Sequence, residues 1–187
     1  MPPAMELILK EGTGIDGFIC PGHVATVTGS DAFTFIPQKF KTGCVVTGFE
    51  PVDILMAILM LVRQVNEVNP KVEIQYARAV RKEGNMTALG FMTEVFDHCD
   101  TYWRGLGKVA MSGLQLRKKY RNYDACEVFR VSVTGHGENE LCRCGDILRG
   151  RISPEDCPLF ATECEPAKPV GACMVSSEGA CNVFYSY

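Results

Sequence analysis

Cysteine is the residue whose number and placement point most directly to chemistry. The chain has ten, and they are unevenly placed. Cys142, Cys144, Cys157, Cys164, Cys173 and Cys181 crowd the last 46 residues, whereas Cys20, Cys44, Cys99 and Cys126 are scattered singly through the first 141. Thiols gathered so closely either pair as disulfides or share a metal. A zinc knuckle sets its cysteines about two to four residues apart. Only Cys142-Arg143-Cys144 comes near that spacing, and the intervals that follow are 13, 7, 9 and 8 positions. Looser spacing suits the corners of a [4Fe–4S] cube, which is wider than a single ion. Cys157-Pro158 is also a pairing seen beside iron–sulfur ligands. Spacing alone leaves a cluster and a disulfide framework open on equal terms, with zinc behind both.

A second group of candidates lies where strands are expected to end. The run Gly17 to Cys20 (GFIC) stops at Pro21-Gly22, and His23 follows directly. Gly43 to Gly48 (GCVVTG) is followed by Glu50 at a loop-to-helix junction. Ligands of open α/β sheets bind at the carboxyl ends of the strands, so His23 and Glu50 are expected to face one crevice. An imidazole there could act as a base or hydrogen-bond a metal-bound ligand. The plainer readings are a histidine that caps the next helix and a carboxylate satisfied by helix N–H groups. Asp53 reads as a helix-terminus charge rather than a catalytic one. His98, Cys99 and His136 read as structural. The run Arg117 to Arg121 (RKKYR) reads as a solvated face or a protein-docking patch, and no GxGxxG motif occurs.

These residues need elements to hold them. Pro2–Lys10 has a short helical face. Gly17–Cys20 and Gly43–Gly48 read as buried parallel strands. His23–Thr28 suits a helix start, and Asp31–Phe35 a further helical turn. Pro51 opens a strong helix that Asn69-Pro70 closes. Its apolar residues are expected to be buried at the N-terminal end, with one amphipathic face toward Val68. Val72–Val80 suits either a strand or a helix. Met86–Phe96 reads as helix, with His98-Cys99 near its end, and Tyr102–Gly113 as strands and turns. Lys118–Phe129 reads as a short helix and Thr134–Asn139 as a loop. The sum is an α/β fold with a partial parallel-sheet, Rossmann-like core over residues 1–139, followed by an irregular cysteine-rich segment over 140–187.

The chain has 187 residues, 47% hydrophobic and 22% charged, which is globular composition. No apolar run reaches the roughly 18 residues a membrane span needs, and Asp53 interrupts the closest one. No basic region leads into an apolar stretch at the start, so the expectation is a cytoplasmic protein with reduced thiols. Net charge is −3, which gives no reason to expect nucleic acid or a membrane as partner. All of it sits in 140–187, which holds seven acidic and four basic residues, four prolines and four glycines. So short a segment needs a staple or a docking surface.

A resemblance narrows the alternatives. The string Cys144 to Tyr185 (CGDILRGRISPEDCPLFATECEPAKPVGACMVSSEGACNVFY) closely resembles the C-terminal end of HypD, the [NiFe]-hydrogenase maturation family. PGHV at Pro21–Val24, GFEP at Gly48–Pro51 with Asp53, and WRGLG at Trp103–Gly107 resemble further HypD blocks in the same order. The resemblance runs from about residue 15 to the end and implies the C-terminal half of such a protein. The CGGHTH-type motif, the second cysteine-rich motif and the GFETT block of the family's other half do not occur here. Where the family usually has Ser after PGHV, this chain has Ala25.

The resemblance implies a [4Fe–4S] cluster on Cys144, Cys157, Cys164 and Cys181, with Cys142 and Cys173 as extras. It implies His23 and Glu50 at the crevice for the iron centre. It further implies work with HypC-like and HypE-like partners on an Fe(CN)2CO moiety, with no completed maturation expected from this half alone. Two readings stand beside it: an independent iron–sulfur protein acting on thiols or disulfides, and a disulfide-stapled binding domain.

Overall fold

The computed structural model describes residues 1–131 and 139–187. The loop expected from Thr134, with His136, falls outside the described residues apart from Asn139. The chain divides into two compact units. One is Ile15–Asp97, and the other joins Pro3–Gly14 to His98–Tyr187. The cysteine-rich stretch 140–187 lies within the second of these.

The first unit is a three-stranded parallel sheet with helices. Strand β1 (Gly17–Pro21) pairs with β2 (Gly43–Thr47), which pairs with β3 (Val72–Ile74), so β2 is central. The register sets Gly17 beside Gly43 and Cys44 beside Val72. All five residues of β2 are buried, as a β-branched run in a parallel sheet should be. Helix α2 (Gly22–Thr28) begins directly after β1, and α3 (Pro51–Asn66) follows β2. Ala25, Phe33 and Ile36 join Val45 and Val46 in the core. Helix α4 (Met86–Val95) opens at Asn85, whose side chain accepts from the Ala88 N–H at 3.1 Å. The ambiguous stretch after Pro70 resolves into a strand of three residues, because the Gln75 and Tyr76 N–H groups both turn onto Val46 O.

Helix α3 differs from expectation. Only Asp53, Ala57 and Gln64 are buried along it, whereas Val52 and Leu55 at its start are 68% and 67% exposed. A sheet of three strands covers one narrow side of a helix, and no residue of this unit covers the opposite side. Gln64 ties α3 to the sheet, donating to Glu73 Oε2 at 2.7 Å and accepting from the Lys71 N–H at 3.1 Å.

The second unit contains helix α1 (Pro2–Lys10) and the hairpin of β4 (Phe96–Trp103) and β5 (Gly107–Leu116). His98 and Cys99 lie in β4, which starts where α4 ends. The Trp103 indole N–H donates to Ser112 Oγ at 2.8 Å across the hairpin. The expected helix at Lys118–Phe129 is split into a 3-10 turn, Lys118–Tyr123, and a short α5 (Ala125–Val128), because the Asp124 side chain caps at Cys126. The cysteine-rich part holds only short helices: α6 (Cys144–Leu148), α7 (Ala172–Val175) and α8 (Ala180–Ser186). Arg149 ties it to the N-terminal residues, donating through Nε to Glu11 Oε2 at 2.8 Å, while its carbonyl accepts from Thr13 Oγ1 at 2.6 Å.

Candidate functional site

Turns rather than long elements aim the clustered cysteines. Cys144 opens α6, and Cys157 follows a 3-10 turn in which Ser153 and Asp156 form a reciprocal capping box. Cys164 sits on a tight turn whose N–H donates to Leu159 O at 2.9 Å. Cys173 lies in α7 and Cys181 in α8. Phe160 packs edge-on against Phe184 and Tyr185, which fixes α8 beside the turn that carries Cys164.

All six cysteines of this segment line one small cavity with Ile147, Leu159, Phe160, Gly171 and Met174. Five of the eight residues forming the buried cluster here are cysteines, so sulfur is most of this core. Cys144 and Cys173 stand with sulfurs 2.7 Å apart, and no disulfide joins any of the ten cysteines. The two cysteines set aside on resemblance, Cys142 and Cys173, thus share the cavity with the four assigned ones. Peptide N–H groups point at two of the sulfurs: Val170 to Cys164 and Cys173 to Cys144, each at 3.3 Å. Gly171 matters here because a Cβ would press on Cys142 Sγ.

Three of these thiols are held against losing their protons. Burial pushes the Cys181 thiol up to about 11, with the neighbouring sulfurs adding to the shift. Burial likewise raises Cys142, and the hydrogen bond with Cys144 raises Cys173. A cation bound there would be what draws the protons off. No carboxylate or imidazole among the described residues lines the cavity. Among the described residues, no three donors of the His, Cys, Asp and Glu types stand as a single-ion cage. An all-thiol set under N–H donors fits an iron–sulfur cluster in its chemistry, since such clusters take thiolates and are tuned by hydrogen bonds to sulfur.

The carboxyl ends of β1 and β2 form the second candidate site. His23, in the first turn of α2, is exposed, and its ring lies 5.0 Å from that of Phe49. Glu50 precedes α3 and makes no side-chain cap there. Its carboxylate lies 3.5 Å from Arg78 Nη2 instead. His23 and Glu50 each follow the carboxyl end of a strand, and Phe49, against the His23 ring, directly precedes Glu50.

Sequence reasoning missed what organises this end. Asp53 is buried and receives Arg78 Nη1 at 3.0 Å, Arg78 Nη2 at 2.7 Å and Gln75 Nε2 at 2.8 Å. The Arg78 guanidinium, then the Gln75 amide, hold the Asp53 carboxyl down to about 2. Thr47 Oγ1 bonds both the Asp53 carbonyl (3.1 Å) and Gln75 Oε1 (3.0 Å), closing the network onto β2. Arg78 also lies 4.3 Å over the Tyr76 ring. The available signal was Asp53 itself, a lone charge in an otherwise apolar stretch. Cys20 and Cys44 were also read as isolated, yet they meet inside the sheet, and their contact raises the Cys20 thiol.

Comparison with known proteins agrees with the sequence blocks. The family model described as HypD, hydrogenase formation hypA family, matches residues 1–187. The hydrogenase maturation factor HypD2 of Bradyrhizobium diazoefficiens is 46% identical over 194 residues, covering 100% of this chain and 51% of that protein. HypD of Azotobacter vinelandii is 46% identical, again over 100% of this chain and 51% of its own length. HypD of Escherichia coli is 42% identical over 100% of this chain and 50% of its own. The chain spans about half the length of the curated relatives it matches. With two sites on HypD sequence blocks and a whole-length family match, the chain belongs to the HypD family.

Proposed function

We propose that this chain serves hydrogenase maturation as the cluster-bearing half of a HypD-type scaffold, on which the Fe(CN)2CO moiety is assembled with HypC-like and HypE-like partners. The observation that carries this reading is the cavity walled by six cysteines and apolar side chains, with no other donor type among the described residues. Cys144, Cys157, Cys164 and Cys181 would hold a [4Fe–4S] cluster, which supplies one-electron chemistry when bound. The Val170 and Cys173 N–H groups stabilise negative charge on sulfur, and Ile147, Leu159 and Met174 exclude water.

At the other site, Asp53 locks Arg78, and Arg78 holds Glu50 at the crevice mouth. His23 is exposed there, with its ring against that of Phe49. A reducing, cytoplasmic setting would keep these thiols available to iron.

The test is complementation. This chain, joined to the portion of Escherichia coli HypD that it does not span, is placed in an Escherichia coli strain lacking its own HypD. Hydrogenase activity is expected to return. Cys164→Ser and His23→Ala are each expected to lose it, with the His23 variant still folded. Full maturation by the His23→Ala variant removes that residue from the site.

A further inference from the structure

The outer side of α3 is an apolar seam that no described residue covers. Val52, Leu55, Ile58, Leu59, Val62 and Val65 are 41–68% exposed. Their spacing places them on one stripe, opposite the sheet-facing Asp53, Ala57 and Gln64. An amphipathic helix carries one apolar stripe; α3 is polar or small toward its own sheet and apolar away from it. The seam continues onto the sheet. Leu61, Val62 and Val65 share a groove with Gly17 at the start of β1. Ile19, on the same face of β1 by strand alternation, is 44% exposed. β1 is also an edge strand, paired only with β2, and parallel sheets are seldom left open at such an edge. Soluble monomers rarely leave a contiguous apolar patch of this kind uncovered.

We infer that the α3 seam and the β1 edge are the docking surface for the remaining portion of a HypD protein, the half of the relatives that this chain does not span. Each relative carries about as much chain again as the stretch matched here, and covers this one from end to end. A second copy of this chain fits less well. Across a two-fold axis β1 would meet itself antiparallel, against the all-parallel order of this sheet. A further segment of the same protein can add to the edge in parallel and lay an apolar surface on the seam. The inference rests on family membership and not on the cluster, so its test needs no iron.

The test is hydroxyl-radical footprinting of side chains in the isolated chain and in the joined protein described above. Labelling of Leu55, Leu59 and Val62 is expected to fall about fivefold on joining, as side chains entering an interface core lose their solvent. Val128, which is 53% exposed on α5, serves as a reference expected not to change. Unchanged labelling of the seam overturns the inference. So does protection that appears in the isolated chain as its concentration rises, which makes a second copy the occupant. Leu55→Glu combined with Val62→Glu is expected to leave the unfolding midpoint of the isolated chain unchanged, since both side chains are already in water. In the joined protein the same pair is expected to restore labelling at Leu59. Protection that survives both charges contradicts the assignment.

Discussion

The two units of this chain hold together by different means. In Ile15–Asp97 the backbone carries the structure: a fully buried β2 is laddered on both sides, Val45 and Ala57 are buried between sheet and α3, and Val46 is buried on the opposite face. In the cysteine-rich part, helices of four to seven residues cannot stand by themselves. Its buried cluster is mostly cysteine, with Ile147, Leu159 and Met174 between. The first unit should therefore keep its structure whatever happens to the sulfurs. The second should depend on what those sulfurs bind. Sequence blocks of one family run through both, yet the physics of each block differs.

That contrast can be broken or sharpened by experiment. The largest effect is expected from Cys164→Ser in the iron-loaded chain. Amide exchange across residues 144–181 should accelerate by about a hundredfold or more as metal-linked folding is lost. Exchange in residues 15–97 should stay as it was, and acceleration in both units would erase the distinction. The reverse experiment is Val45→Ala, at a position with no exposed surface. It should cost the sheet unit about 2 kcal/mol from lost burial and the cavity left behind, read by denaturant unfolding, with iron content unchanged.

A smaller effect separates the units by pH. Because the Asp53 carboxyl is held at about 2 in the fold, its contribution is complete above about pH 4 and fades as pH falls toward 2. Asp53→Asn should lower the unfolding midpoint of the sheet unit at pH 7, and the gap should close on acidification. The opposite trend would mean that the Arg78 pair does not stabilise the fold. The smallest effect is expected at Glu11→Ala, which removes the partner of Arg149 from an edge where Glu11 is 42% exposed. A loss of about 0.5–1 kcal/mol, confined to the cysteine-rich unit, is in proportion to a partly exposed ion pair.

The backbone-driven unit was the more legible in sequence. β1 and β2 are bounded by Gly and Pro and filled with β-branched or apolar residues, so local pattern and final structure agree. α3 was recognisable as a helix, but its burial was not. Apolar residues around most of its surface say only that something covers them, and the sheet that would do so has three strands. The Asp53–Arg78–Gln75 network was invisible because its members are 22 and 25 positions apart and meet only once β3 has turned. His98 and Cys99 were placed at a helix end, yet the chain switches straight from α4 into β4 with no breaker between. Among the cysteines, uneven spacing signalled a common site, and the turns after Pro154 and at Leu159 close the long intervals. Spacing could not separate Cys142 and Cys173 from the rest, because the fold brings them to the same cavity.

The most direct measurement is the metal and sulfide content of the chain after anaerobic reconstitution, read with its visible spectrum. The account predicts about four irons and four sulfides per chain with broad charge-transfer absorbance, both lost in Cys157→Ser. One tightly held zinc without iron, or sulfurs joined to one another as covalent pairs, would contradict it.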